Sequence, residues 1–204
     1  MKKTVCGLLI LSYIIFSFAE ETYRQGVHFG IGFSPSFSYL LISSKTYDSQ
    51  AWYSDYLGGF SVEARLGYSK SEYKASSFIS SLTWDYPSTH FTFSLFNGYA
   101  FTFYTNEAAP STAFEFFGGL YSSHVAGLDK INAAWGLKTG FKTGYEFKKR
   151  LTLWIGHSIA CQLRSYSYPA TLIDVHNDIL HDGTSSSAEL IFPTSVFASL
   201  TYLF

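Results

Sequence analysis

Past residue 20 this 204-residue chain has no long apolar run, because Gly, Ser, Thr or a charged side chain interrupts every hydrophobic stretch. A membrane-spanning helix needs about 20 consecutive apolar residues, so a helical membrane protein is excluded. Charge is also scarce: 14% of residues carry it, against roughly a quarter in an ordinary soluble domain. Cysteine is limited to Cys6 and Cys161. The first falls in a predicted leader, which leaves Cys161 alone in the mature chain and rules out an intrachain disulfide. What the chain has instead is aromatic side chains, 20% of the total, at a mild mean hydropathy of +0.09. Many aromatics without long apolar runs are the composition of alternating strands.

The amino terminus carries Lys2 and Lys3, an apolar run from Val5 to Phe16, and Ser17-Phe18-Ala19 before Glu20. That order predicts a secretory signal over residues 1–19, with cleavage after Ala19 and a mature domain over 20–204. Cys6 lies at the front of the apolar run rather than just behind it, which argues against a lipoprotein. Removing two lysines and no acid from 14 basic and 15 acidic residues leaves a mature net charge of −3. This is no footprint for nucleic acid.

The last eleven residues, Thr194 to Phe204, alternate with a period of two. Val196, Ala198, Leu200, Tyr202 and Phe204 form an apolar face, and Ser195, Phe197, Ser199, Thr201 and Leu203 a mixed one, which predicts a strand. The same period recurs over Gly26–Ile42, Gly59–Ser69, Ser76–Tyr86, Phe91–Thr105, Ser111–Ser123, Ala134–Lys148 and Leu151–Tyr166. Several of these exceed the roughly 9 to 11 residues that a tilted strand needs to cross a bilayer. The expected fold is therefore all-β: a membrane-spanning, antiparallel up-and-down barrel of eight strands. Ser43–Leu57 and Ser167–Ser187 are expected to be the longest loops. Shorter connections should alternate with longer ones, as they do in outer-membrane barrels.

A leader, eight amphipathic strands, four outer loops and a terminal aromatic after alternating apolar residues together resemble the small bacterial outer-membrane barrels of the OmpA-domain and OmpX type. The resemblance covers essentially the whole mature chain and is one of pattern. It implies an integral outer-membrane location among lipids that include lipopolysaccharide. It also implies that Leu200, Tyr202 and Phe204 form the end read by the outer-membrane insertion machinery.

Strand parity sends Glu63, Arg65, Glu115, Lys138, Lys142, Glu146, Arg164 and Glu189 inward, four acids and four bases. A balanced network of ion pairs filling the bore is expected, since charge in a narrow barrel is costly unless paired. Eight strands leave room for little more than side chains. A narrow gated path is the less favoured reading of the same residues.

Small barrels of this kind include lipid-A-modifying acyltransferases and deacylases, and His157-Ser158 is the tempting pair. Neighbours on a strand point to opposite faces, so these two cannot act as base and nucleophile. His157 and Asn97 remain polar flags on the apolar face. Asp174, His176, Asp178, His181 and Asp182 are metal-type donors, but their spacing matches no known site, and neither metal nor cofactor is expected. Asp48, Asp55, Asp85, Asp129, Asp174, Asp178 and Asp182 against Lys45 and Lys130 make the outer loops acidic. Trp52, Tyr53, Tyr56, Leu172, Ile173, Val175 and Ile179 give the first and last outer loops apolar contact groups, the expected place for a surface ligand. The leading expectation is a non-enzymatic barrel presenting loops for envelope integrity or adhesion, ahead of a lipid-modifying enzyme and a narrow channel.

Overall fold

The computed structural model describes residues 24–46, 49–86, 91–126, 132–148, 150–173 and 179–204. The predicted signal lies outside them. Eight strands form: β1 (Gly26–Thr46), β2 (Ser49–Ser71), β3 (Lys74–Tyr86), β4 (Phe91–Tyr104), β5 (Ser111–Ala126), β6 (Asn132–Lys148), β7 (Leu151–Ile173) and β8 (Ile179–Leu203). Each pairs antiparallel with the next, and β8 closes the barrel on β1 from Gly30↔Leu203 to Lys45↔Ala188. Closure is the physical solution for a sheet in lipid, where any free backbone N–H or C=O would go unsatisfied.

Parity assigns the two faces as the sequence implies. Phe33, Phe37, Tyr99, Leu120, Leu137 and Ile155 point out and are well exposed, while Ile79, Phe96, Glu115 and Trp154 point in and are buried. An apolar skin running round the whole molecule has no place in a soluble monomer. It is the lipid-facing band of a membrane barrel.

Two expectations need correction. Ser43–Leu57 and Ser167–Ser187 are not long loops. β1 continues to Thr46, β2 begins at Ser49, β7 runs to Ile173 and β8 starts at Ile179. The asymmetry therefore lies in strand length rather than in loops. β7, β8, β1 and β2 span 23, 25, 21 and 23 residues, against 13, 14, 16 and 17 for β3 to β6. The cause is that apolar alternation reports lipid on one side and bore on the other. Where a ladder rises beyond the membrane, its backbone pairing continues but the pattern that betrays it stops.

Where β4 and β5 cross, Gly98 pairs with Gly119. A Cβ on Gly119 would collide with the backbone of Asn97 and Gly98, whereas on Gly118 its nearest neighbour would be Thr139 Oγ1 at 3.6 Å. Gly119→Ala should thus cost about 1–3 kcal/mol, the range of overpacking. Gly118→Ala, one residue away on the lipid side, should be neutral or slightly stabilising because it removes a flexible glycine. Equilibrium urea unfolding of the two refolded variants checks this, and equal effects would refute it.

Candidate functional site: the barrel interior and the protruding strands

The bore is filled in layers. At the end where Phe204 lies, Arg24 enters ahead of β1. Its guanidinium pairs with the Glu146 carboxylate, donates to the carbonyls of Glu72 (3.1 Å) and Asn106, and lies 4.1 Å above the Tyr104 ring. Glu146 also accepts from the Arg150 backbone N–H at 3.4 Å. One cation thereby ties β6 to the connections β2–β3 and β4–β5, and through Glu146 to β6–β7. Ala75, Tyr104, Ala113 and Trp154 pack as an apolar layer of the interior. His28 Nε2 lies 3.2 Å from Ser77 Oγ, in a space that Gly67 leaves open.

The central layer joins four of the predicted charges. Arg65 grips Glu115 with two N–H groups, at 2.5 and 2.8 Å, and turns its Nη2 also to Glu63 at 2.8 Å. Lys142 Nζ reaches Glu115 at 2.9 Å and Glu63 at 3.3 Å, and the Thr102 hydroxyl donates to Glu115 at 2.7 Å. Glu115 and Lys142 are direct cross-strand partners, but Arg65 reaches across the bore from β2 to β5. A fork-shaped guanidinium on a carboxylate is the strong geometry for such a contact. Arg164 and Glu189 form a separate cross-strand pair, with Nε to Oε2 at 2.8 Å.

All eight predicted charges thus line the inner wall, in separate groups rather than one network. Lys138 forms no salt bridge among the described residues: its ammonium sits 4.8 Å from the Tyr121 ring centroid. Among the described residues two further charges point inward, beyond the eight expected from strand parity. Arg24 precedes the first periodic segment and carries no strand signal. Asp85, expected among the acidic outer loops, is instead buried in the bore at the end of β3, accepting from Ser94 at 3.3 Å. Its odd position, in register with Ile79, was the available clue. These two add one charge of each sign, so the lumen stays neutral.

The residues expected in recognition loops are placed differently. Trp52 and Tyr56 lie on β2, 56% and 61% exposed, with Trp52 stacked on Phe192 (6.5 Å), and Tyr56 stacked on Phe37 (5.8 Å) and tilted against Tyr39 (5.1 Å). They extend the outer aromatic face rather than forming a loop surface. Tyr53, Leu172, Ile173 and Ile179 belong to the backbones of β2, β7 and β8. Val175, with Asp174, His176 and Asp178, lies outside the described residues. At the terminus, Tyr202 and Phe204 meet edge to face at 5.0 Å, Phe204 packs on Phe29 at 5.8 Å, and its N–H bonds the Phe29 carbonyl at 2.7 Å. Leu200 lies exposed on the same outer face.

His157 and Ser158 do fall on opposite sides of the wall. Ser158 is buried, while His157 lies against Phe141 at 6.0 Å and pairs across the ladders with Phe141 and Val196. Neither partner is a nucleophile, so acyl chemistry through this pair fails on geometry.

A closed antiparallel barrel with a lipid-facing skin and a neutral, side-chain-filled bore is a membrane-spanning barrel, and the chain has the fold of the small eight-stranded outer-membrane barrels. It is similar over 89% of its length to the outer membrane protein OprG from Pseudomonas aeruginosa, covering 97% of that chain at 11% identity and a TM-score of 0.55. Weaker likenesses run to Neisserial surface protein A (14% identity, 80% and 96% of the two chains, TM-score 0.36) and to Ail, the attachment invasion locus protein of Yersinia pestis (11%, 87% and 99%, TM-score 0.43). No protein-family model matches the chain. No curated protein matches it either.

Proposed function

We propose that the chain is a non-enzymatic integral protein of the outer membrane that holds a raised β-sheet at the cell surface for interaction or adhesion. On this reading Leu200, Tyr202 and Phe204 are the end recognised during insertion, and lipids including lipopolysaccharide surround the apolar skin. The observation that carries the proposal is the height of β7, β8, β1 and β2, each about twice what a tilted crossing requires. The surplus forms a sheet with open edges. Among the described residues the β2–β3 ladder starts only at Gly58↔Tyr86, which leaves Ser49–Leu57 without a neighbour on that side. The β6–β7 ladder likewise stops at Trp135↔Leu163. An unpaired edge offers backbone donors and acceptors to an extended partner strand. Pro169 interrupts the β7 edge by removing an N–H, the usual protection against strand addition. The β2 edge has no proline. The surface most open to a partner is therefore Ser49–Leu57.

The test shortens the sheet without touching the barrel. Ser38 is joined to Leu57, which it faces in the ladder, through a two-residue Asn-Gly turn, which removes all but the last residue of the open β2 edge, and Tyr166 to Ser187 in the same way. Cells producing the native chain should carry it in the outer-membrane fraction, with gel mobility that changes on boiling, and should adhere to immobilised extracellular-matrix protein. The shortened variant should keep the mobility shift and lose adhesion about tenfold, a change of roughly 1.4 kcal/mol in contact free energy. Soluble recovery of the native chain, or adhesion indifferent to the shortening, would end the proposal.

A further inference from the structure

Between the central ion cluster and the end of the barrel remote from Arg24 and Phe204 lies a cavity of about 60 Å³. This is room for roughly four or five water molecules, or one small solute of about six to eight heavy atoms. One wall is hydroxylated, by Ser34, Ser36, Ser38, Ser61, Ser195 and Ser199. The facing wall is aromatic, from Phe96, Phe117 and Tyr121, and Phe197 reaches over from β8 to pack on Phe117 at 6.3 Å. Lys138 and Asp85 both line the space without pairing directly.

Some of these groups are already engaged. Ser34 donates to the Ala198 carbonyl at 2.9 Å, Ser61 to the Ser34 carbonyl at 3.3 Å, and Ser38 shares a hydrogen bond with Ser195 at 2.7 Å. Others are not. Ser199 is only 6% exposed, and neither its hydroxyl nor that of Ser36 has a partner among the described residues. Lys138 carries three N–H donors, and its ammonium lies over the Tyr121 ring face with no ion pair among the described residues. A buried polar group without a partner costs free energy, and a ligand that satisfies it recovers that cost.

Charge, shape and size narrow the ligand. Lys138 and Asp85 cancel, and the central cluster is itself neutral, so a lone anion or cation would be desolvated without compensation. A hydroxyl both donates and accepts, and can meet Lys138, Asp85 and the free serines at once. The C–H face of a carbon chain can lie against the phenyl rings. Arg24 and the central cluster close the bore below, so entry is from the opposite end. We propose that this cavity is a binding site for a neutral polyol of glycerol or erythritol size.

The full-length barrel, refolded in a zwitterionic detergent free of sugar groups, is titrated with glycerol and with erythritol while amide NMR shifts are followed. Glycine and inorganic phosphate serve as charged comparators. Saturable shifts at Ser36, Lys138 and Ser199, with dissociation constants in the millimolar range, are expected for the polyols and for neither comparator. Asp85→Asn combined with Lys138→Met should weaken binding at least fivefold. If that variant does not give a heat-modifiable barrel, Ser199→Ala, which removes one hydroxyl, should weaken it at least twofold. Linear, unsaturable shifts, preference for glycine or phosphate, or unchanged affinity in a folded variant would overturn the proposal.

Discussion

Replacing Arg65 with alanine is expected to lower the unfolding free energy of the refolded barrel by about 3–5 kcal/mol, the range for removing one partner of a buried ion cluster. Native Arg65 and Lys142 balance Glu63 and Glu115, with Glu115 fully buried. Without Arg65, two carboxylates face one ammonium, with only the small cavity beside Glu63 and Lys142 to admit a few waters. The sign of the argument is tested by a second variant. Arg65→Met with Glu115→Met removes one charge of each kind and leaves Glu63 with Lys142 at 3.3 Å. Apolar replacement of a buried pair is often close to neutral, so the double variant should regain most of what the single one loses. Urea titrations of both, with the slope unchanged so that midpoints can be compared, make the measurement. A loss below about 1 kcal/mol for Arg65→Ala, the worth of an exposed pair, would show that the cluster is effectively solvated.

Trp154→Ala should have an effect of similar size, about 3–5 kcal/mol, as for other buried large aromatics. Trp154 is 2% exposed and packs with Ala75, Tyr104 and Ala113 in one apolar layer of the bore. Lys142 Nζ lies 5.5 Å from its ring, and Gly144 leaves the space the indole fills. Truncation opens a void in that layer and withdraws the ring face from Lys142. Trp154→Phe should recover most of the loss, because the indole N–H has no partner among the described residues to forfeit. A Phe variant as weak as the Ala variant would mean that the N–H, rather than the ring, carries the stability.

Both effects concern residues whose inward direction could be read from parity but whose partners could not. Alternation placed Arg65 and Glu115 inside. Their meeting is a property of the closed barrel, because β2 and β5 are not neighbours, and only the circumference and stagger of the sheet bring those two rows together. The same limit explains the misses. Arg24 sits before any periodic segment, and its three attachments come from elements 48, 82 and 122 residues away. The His28–Ser77 contact again joins strands distant in the chain, at a spot where Gly67 gives way.

The terminal eleven residues illustrate what local pattern can determine. Their period of two was enough to establish a strand, its lipid face at Val196, Leu200 and Tyr202, and its inner face at Ser195 and Ser199. With seven similar segments it established an all-β membrane barrel. Such a pattern is written residue by residue, since each side chain answers to the medium on its own side of the wall. The tertiary structure alone decided where the strands end, which charges pair, and that a hydroxyl-lined cavity stands above the ion cluster. Above the membrane both faces of a strand are free of the lipid contrast, so β7, β8, β1 and β2 rise without leaving a periodic trace. Pairing across the bore depends on closure, a condition on all eight strands together that no single stretch of sequence encodes.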